Sequence, residues 1–231
     1  MATTHPWADL LDDEDRLVIE RGKYGKTRGL GERPVLLVID CQWNYIGLDK
    51  PITEQQDEYP AGGGAEAWKA VRNIARLLPL AREADVPIIY SRNVAKRTVK
   101  FDGFQQKAGW DHTKTIDGQP GTQIVDLIAP TDDDIVIDKS YASLFWGTPI
   151  LTYLVSLKAD SLIVCGVSTS GCVRATLVDG ITRGFNAVVL EDGTADRIKA
   201  SHKVALLDIW MKYADVDTTD AVADYLRGLK K

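Results

Sequence analysis

Short aliphatic runs alternate along the chain with segments of helical spacing, and this alternation constrains the fold more than any other feature. The predicted strands cover residues 35–39, 86–91, 134–138, 161–165, 186–190 and 215–217. The predicted helices cover residues 64–85, 148–157, 170–183, 199–213 and 219–229. Runs of Val, Ile and Leu are typical of strands buried on both faces, and their alternation with helices favours parallel pairing. The sequence therefore predicts an α/β fold with a mostly parallel sheet of about six strands and helices on both faces.

Two segments lie outside this alternation of predicted strands and helices. Residues 1–33 are predicted to form an N-terminal arm ahead of one domain over 34–231, with a short helix near 10–20. The arm could pack on a neighbouring subunit or on its own domain. Residues 92–133 contain Phe101, Phe104 and Trp110 among polar residues. A loop of this length in a compact domain is usually a lid, a binding loop or an interface segment.

Composition excludes several classes of function. The formal net charge is −5 with both signs interspersed, so nucleic acid is not an expected partner. No apolar run approaches the ~20 residues that a membrane span needs, and the N-terminus lacks a secretory signal. Three cysteines, an odd number, argue against a disulfide framework. We expect a cytoplasmic protein with reduced thiols and no membrane partner.

Three reactive side chains fall at predicted strand ends, where parallel sheets collect their ligands. Asp40 follows the first strand, Lys139 the third, and Cys172 begins the helix after the fourth. A helix start favours a thiolate and offers backbone N–H groups for an oxyanion. Taken singly, each residue has a structural alternative: a small core cysteine, a turn-forming aspartate and an exposed lysine. Cys41 and Cys165 are predicted to pack in the core.

Together, the strand-end Asp, the Lys after the third strand and the Cys in residues 166–172 resemble the isochorismatase-like cysteine hydrolases over about residues 33–229. That resemblance implies a Rossmann-like three-layer αβα sandwich and a triad of Asp40, Lys139 and Cys172. It also implies a non-proline cis peptide at Val167–Ser168. The oxyanion would then be held by the backbone there, through the N–H groups of Ser168 and Cys172. No cofactor is implied.

The branch of the family is indicated by what surrounds these residues. His5, His112 and His202 lack the D-x-H spacing of the metal-binding nicotinamidase branch, so no metal is expected. Residues 168–176 and 191–197 resemble the group of N-carbamoylsarcosine amidases, maleamate amidases and ureide hydrolases.

In that group an arginine after the fifth strand can bind a substrate carboxylate, which makes Arg197 the candidate here. The alternative for Arg197 is a salt bridge to Asp192 or Asp196. Further candidates for the pocket lining are polar or aromatic, although such aromatics can equally belong to the core or an interface: Trp43, Asn44, Tyr45, Phe145 and Trp146.

The resemblance implies a cysteine amidohydrolase that cleaves a C–N bond of a small ureide or carbamoyl compound through a thioester. N-carbamoylsarcosine, biuret or triuret would be substrates of this type, and ammonia or an amine would leave. The alternatives are a maleamate-type amidase, an isochorismatase-type ether hydrolase and a non-catalytic binding protein of the same fold. The family resemblance also implies a homo-oligomer, either a dimer or a tetramer.

Overall fold

The computed structural model describes residues 5–95, 109 and 111–229, so Phe101, Phe104 and Trp110 lie outside the described residues. The strands are β1 Pro34–Ile39, β2 Ile88–Asn93, β3 Ile135–Lys139, β4 Ser161–Val167, β5 Asn186–Ala195 and β6 Asp215–Asp217. The helices are α1 Asp13–Gly22, α2 Trp43–Ile46, α3 Gly64–Glu83, α4 Ile150–Ser156, α5 Arg174–Thr182, α6 Lys199–Lys212 and α7 Thr219–Leu229. Among the described helices, none has the length and apolar character that crossing a membrane requires.

The six strands form one sheet in the order β3-β2-β1-β4-β5-β6, and every neighbouring pair is parallel. This confirms the predicted α/β fold. Strands β2 and β3 lie on one side of β1. The next strand in the chain, β4, pairs with the other side of β1, and β5 and β6 follow it there. The order reverses between β1 and β4, and the region beyond the carboxyl ends of the strands at such a reversal is the usual ligand site of doubly wound folds.

Each face of the sheet is covered by its own helices. Leu36 and Val38 of β1 pack in the core with α3 and α7, whereas Leu37 and Ile39 pack with α4, α5 and α6. Successive side chains of a strand point to opposite faces, so β1 is buried along its whole length. The result is the three-layer αβα sandwich that the resemblance implies.

Strand β5 runs five residues past its predicted end because it contains a bulge. Val164 of β4 pairs with Val189, but Gly166 pairs with Thr194, so extra residues of β5 are accommodated between these two points. The Thr194 hydroxyl donates to the Leu190 carbonyl at 2.8 Å, and Asp192 within the bulge accepts two hydrogen bonds from the start of α7. The bulge brings the residues after β5 above the end of β4.

The described part of the N-terminal arm packs on its own domain, one of the two alternatives left open by the sequence. Trp7 is 1% exposed and lies against His5 and Trp210, with ring centroids 4.4 and 5.7 Å away. Near the end of the arm, Asp160 accepts hydrogen bonds from backbone N–H groups of residues 32 and 33. Helix α1 buries none of its residues. The described part of the arm, from residue 5 to residue 33, is therefore anchored near both of its ends.

Candidate active site

Asp40 and Lys139 form a buried ion pair at the carboxyl edge of the sheet. The Lys139 Nζ atom lies 2.7 Å from Asp40 Oδ2, and the two residues are 2% and 1% exposed. Lys139 ends β3 and reaches past β2, while Asp40 follows β1 in a left-handed conformation with φ 49°. Lys139 also donates to the Tyr141 carbonyl at 2.9 Å. These two acceptors are oxygen atoms, so the charge is compensated despite its burial.

The thiol of Cys172 lies within hydrogen-bonding reach of both Asp40 and Lys139. The structure thus brings together the three side chains that the sequence placed at separate strand ends. They meet at the reversal of the strand order, where the fold favours a ligand.

The resting form of Cys172 is the thiol. Burial raises the pKa of Cys172 to about 12; the positive charge of Lys139 opposes this rise and the negative charge of Asp40 adds to it. The expectation that a helix start favours the thiolate is therefore wrong. The main physical reason is burial, and the helix start has little to oppose it with, because α5 begins only at Arg174 and Cys172 belongs to the turn before it. The nucleophile must lose its proton during the reaction.

Lys139 remains charged in this environment. Burial works against the ammonium, but the charges of Asp40 and Cys172 and the hydrogen bonds to both outweigh it and raise the pKa of Lys139 above its ordinary value. A fixed cation thus lies beside the group that would lose a proton and the group that would accept it.

The turn that carries Cys172 follows β4 directly. The Val167–Ser168 peptide is cis, as expected. The backbone N–H groups of Gly171 and Val173 both donate to the Ser168 carbonyl, at 3.0 and 3.3 Å. Just before the turn, Gly166 has φ 108°, and a Cβ there would approach the Ile39 carbonyl oxygen to 2.1 Å. Only glycine allows the end of β4 to lie this close to β1.

Ser91 is a further polar residue of this cluster that sequence reasoning missed. Its hydroxyl donates to Asp40 Oδ1 at 2.7 Å, and the residue is fully buried. Asp40 therefore has one oxygen bound by a hydroxyl and the other by an ammonium. The available signal was a serine at the end of an otherwise apolar predicted strand, next to β1 in the sheet.

Arg197 makes a different contact from the salt bridge considered above. Its Nη1 donates to the Ala61 carbonyl at 2.7 Å. Within the described chain, which includes Asp192 and Asp196, neither carboxylate forms an ion pair with the Arg197 guanidinium. Asp192 binds the start of α7, and Asp196 accepts from Ser170. Among its contacts with the residues that the structure describes, the guanidinium keeps further donors for another acceptor.

The other candidates for the pocket lining lie at different places in the structure. Asn44 and Trp43 line a cavity of about 710 Å³ whose lining does not include the three triad residues. Asn44 Nδ2 donates to the Lys114 carbonyl at 2.7 Å within the segment that follows residue 111. Tyr45 packs partly buried against the core that contains α3.

The two aromatic residues after Lys139 differ in exposure. Phe145 is 8% exposed and lies against Phe185 and Arg183, at the far end of α5. The structure therefore places Phe145 in the core rather than beside Cys172, because the chain after Lys139 descends along α5. Trp146 is 60% exposed and meets the Tyr141 ring edge-on, at 6.2 Å between centroids.

Within residues 5–95 and 111–229, no group of three His, Cys, Asp or Glu side chains is placed to hold a metal ion. His5 packs on Trp7, and His202 binds Thr169.

Comparisons with known proteins agree with this fold and site. An isochorismatase domain matches residues 34–221. N-carbamoylsarcosine amidase from Arthrobacter sp is 32% identical over 216 residues, covering 91% of this chain and 77% of that protein. Maleamate amidohydrolase from Pseudomonas putida is 31% identical over 211 residues, covering 90% and 94%. An isochorismatase family protein of known structure from Desulfovibrio vulgaris superposes with a TM-score of 0.73 at 23% identity, covering 85% and 100%, which supports the fold.

Both named enzymes are amidohydrolases, in agreement with the predicted enzyme class of hydrolases that act on C–N bonds other than peptide bonds. The matched domain spans most of the chain, from β1 into α7. On these grounds the chain belongs to the isochorismatase family of cysteine hydrolases.

Proposed function

We propose that the protein is a cysteine amidohydrolase that cleaves a C–N bond of a small ureide or carbamoyl compound through a thioester on Cys172. The observation that carries this proposal is the buried cluster in which one thiol faces both Asp40 and Lys139, with Lys139 Nζ 2.7 Å from Asp40 Oδ2. A nucleophile, a proton acceptor and a fixed cation in contact are the groups that covalent amide hydrolysis needs.

In the first step, Sγ of Cys172 attacks the carbonyl carbon while its proton passes to Asp40. The raised pKa of Cys172 fits this order, because the thiol is deprotonated only as the bond forms. Lys139 stabilises the negative charge on whichever of the two groups carries it. The N–H groups of Ser168 and Cys172, at the cis Val167–Ser168 peptide, would hold the oxyanion of the tetrahedral intermediate.

In the second step, Asp40 returns the proton to the departing nitrogen, and ammonia or an amine leaves. Asp40 then activates a water molecule that hydrolyses the thioester and restores the thiol. A ureide would pass through a carbamoyl thioester, whereas a simple amide would pass through an acyl thioester. The same residues serve both cases, so the maleamate-type alternative differs only in the substrate.

Arg197 is our candidate for binding a substrate carboxylate. N-carbamoylsarcosine and maleamate, after which two relatives are named, each carry a carboxylate near the amide that would be cleaved. The hydrogen bond to the Ala61 carbonyl orients the guanidinium and leaves its other donors for a planar, two-point contact. A carboxylate-bearing ureide is therefore the substrate class that we favour.

The test is a screen for ammonia release across N-carbamoyl amino acids, biuret, triuret, maleamate and nicotinamide. We expect turnover of at least one compound and its loss in Cys172→Ala, with Cys165→Ala as the matched control that keeps activity. Near-normal activity of Cys172→Ala would overturn the proposal. Isochorismate is assayed separately, and its turnover without ammonia release from any of the screened compounds would favour the ether-hydrolase alternative. Binding without turnover would favour the non-catalytic one.

The role of Arg197 is tested with two kinds of substrate. We expect Arg197→Gln to raise KM about tenfold or more for a substrate with a carboxylate, because a charge-assisted pair is lost. The KM for biuret, which has no carboxylate, should change little. Equal effects on both substrates would rule out a carboxylate contact.

We further propose that the protein works in the cytoplasm as a homodimer or homotetramer, without a cofactor. Exposed apolar side chains on and before α4 support self-association: Trp146 is 60%, Leu151 43% and Val155 67% exposed. Sedimentation velocity would measure the oligomeric state directly, and a monomer at micromolar concentration would contradict this part of the proposal.

A further inference from the structure

We infer that Asp196 and His202 are positioning residues that hold the turn carrying Cys172 in its reactive place. This inference rests on the proposed function, because it concerns how the same nucleophile is aligned. Neither residue entered the mechanism above. Both come from the chain after β5 and contact two adjacent residues of the turn, Thr169 and Ser170.

Asp196 binds Ser170 at two points. Its Oδ2 atom accepts from the Ser170 backbone N–H at 2.9 Å and from the Ser170 hydroxyl at 2.6 Å. Its other oxygen accepts from the Arg197 backbone N–H at 2.8 Å. Hydrogen bonds to an ionised carboxylate are stronger than those between neutral groups. One carboxylate therefore joins the turn to the end of β5.

The position of Asp196 follows from the bulge in β5. Because of the bulge, Ala195 pairs with Val167, the last residue of β4. Asp196 is thus the next residue after a pair that is fixed by the sheet, and its carboxylate faces the turn that follows Val167. A strand without the bulge would place different residues at this point.

His202 supports the turn from α6. Its Nδ1 atom lies 2.8 Å from the Thr169 hydroxyl, and Thr169 is fully buried. Burial lowers the pKa of His202, although the nearby Asp196 and Glu66 oppose this effect. The ring is therefore neutral near pH 7 and can share one hydrogen bond with a hydroxyl. The two contacts come from separate elements, the end of β5 and α6.

The turn is not a regular helix, so contacts from outside it help to fix its path. Gly171 has φ −105° and ψ −108°, outside the helical region, so regular helical hydrogen bonding begins only after it. The bonds from Gly171 and Val173 converge on one acceptor, the Ser168 carbonyl. Catalytic groups must be held within a fraction of an ångström, and a displacement of about 1 Å can cost about a hundredfold in rate. Support at Thr169 and Ser170 would fix Cys172 against Asp40 and Lys139.

The kinetic test compares truncating and conservative variants. We expect Asp196→Ala to lower kcat about twentyfold or more with KM changed less than about threefold, because the turn is displaced while substrate contacts remain. Asp196→Asn keeps an acceptor oxygen and should recover most of the loss. His202→Ala should show a smaller fall, and His202→Asn, which keeps a polar atom near the position of Nδ1, should recover it.

The matched control is Lys199→Ala. Lys199 lines the same cavity of about 510 Å³ as Asp196 and His202, and it is an exposed residue at the start of α6. The kcat of Lys199→Ala should stay within about twofold of the wild-type value.

A second readout needs no substrate. Iodoacetamide labelling followed by peptide mass spectrometry reports each cysteine separately, and buried Cys41 and Cys165 act as internal controls. We expect Asp196→Ala to label faster than the wild type at Cys172 only, because the released turn gives the reagent more access to a thiol whose residue is only partly exposed in place. Faster labelling confined to Cys172 separates this result from a general loss of structure, which would also expose Cys41 and Cys165.

Unchanged kcat and unchanged Cys172 labelling in both alanine variants would overturn the inference. So would a fall in kcat accompanied by labelling of Cys41 and Cys165 in Asp196→Asn as well as Asp196→Ala, because the role would then be structural. If the wild type shows no Cys172-dependent hydrolysis, the proposed function fails, and the labelling experiment still decides whether the contacts hold the turn.

Discussion

Cys165 and Cys172 are seven residues apart and have opposite surroundings. Cys165 lies within β4, fully buried, and its thiol reaches the Leu37 carbonyl at 3.4 Å. Cys172 lies beyond the strand end, beside Asp40 and Lys139. Burial raises the pKa of both thiols, but only Cys172 has an ammonium and a carboxylate within reach. The comparison teaches that position relative to the strand end, and not residue type, makes a thiol available for chemistry.

The physical basis of this difference is the sheet. A residue inside a central parallel strand has neighbours on both sides and helices on both faces, so no substrate can approach it. Past Val167 the chain leaves the sheet at the reversal of strand order, where the ends of β1 and β4 lie side by side. Side chains at or near the carboxyl ends of the strands can meet there.

Removing the ammonium group of Lys139, which distinguishes the surroundings of Cys172 from those of Cys165, should have the largest effect on activity. We expect Lys139→Met to reduce kcat/KM by about a thousandfold, since Cys172 then loses the charge that stabilises its ionised form. The free energy of unfolding should also fall by about 3–5 kcal/mol, because Asp40 is left buried without its partner. Ammonia release and urea denaturation measure the two effects. Adding Asp40→Asn should recover stability without activity, and recovered activity would contradict the assigned roles.

The pH dependence of labelling should sharpen the difference between the thiols. Because the pKa of Cys172 is raised to about 12, its thiolate fraction grows about tenfold per pH unit up to that range. The rate of Cys172 alkylation should therefore still be rising near pH 10, where a free cysteine has levelled off. Cys165 should remain unlabelled while the protein is folded. A plateau near pH 8 to 9 would show that burial does not control Cys172.

Removing the hydroxyl behind Asp40 should have an intermediate effect. We expect Ser91→Ala to lower kcat about tenfold, because Asp40 loses the hydrogen bond that fixes one of its oxygens. Ser161→Ala is the matched control, since Ser161 is also fully buried but lies at the opposite end of the sheet, at the start of β4. Equal losses of activity in the two variants would mean that the Ser91 hydroxyl contributes to stability and not to the positioning of Asp40.

The smallest effect is expected for the buried cysteine of the pair. Cys165→Ala should keep kcat within about twofold and lose about 1–2 kcal/mol of unfolding free energy through lost packing. Steady-state kinetics and urea denaturation check both values. A large loss of activity without a loss of stability would give Cys165 a role that its surroundings do not support.

The sequence predicted the parts of this protein that depend on local pattern. Aliphatic runs located β1 to β5, whereas β6, Asp-Val-Asp, was predicted from its place between two helical segments. Strand ends identified Asp40 and Lys139 as candidates, because the carboxyl edge of a parallel sheet follows from strand direction alone. The order of the strands in the sheet was not available from the pattern, so the contact between Ser91 and Asp40 was missed.

Features set by distant contacts could not be predicted in the same way. The bulge in β5 is accompanied by hydrogen bonds that the start of α7 donates to Asp192, and no local pattern in the sequence indicates the bulge. The protonation of Cys172 depends on burial by several elements, which outweighs the helix end that sequence reasoning relied on. Phe145 could have lined the active site or the core, and only the path of the chain along α5 decides between them.

The central claim is that Cys172 forms a thioester with the substrate. Acid quenching during turnover, followed by peptide mass spectrometry, tests it most directly. We expect an acyl or carbamoyl adduct on the peptide that contains Cys172, none on Cys41 or Cys165, and none in Cys172→Ala. Full-rate turnover with Cys172 unmodified at every quench time, together with activity in Cys172→Ala, would contradict the claim.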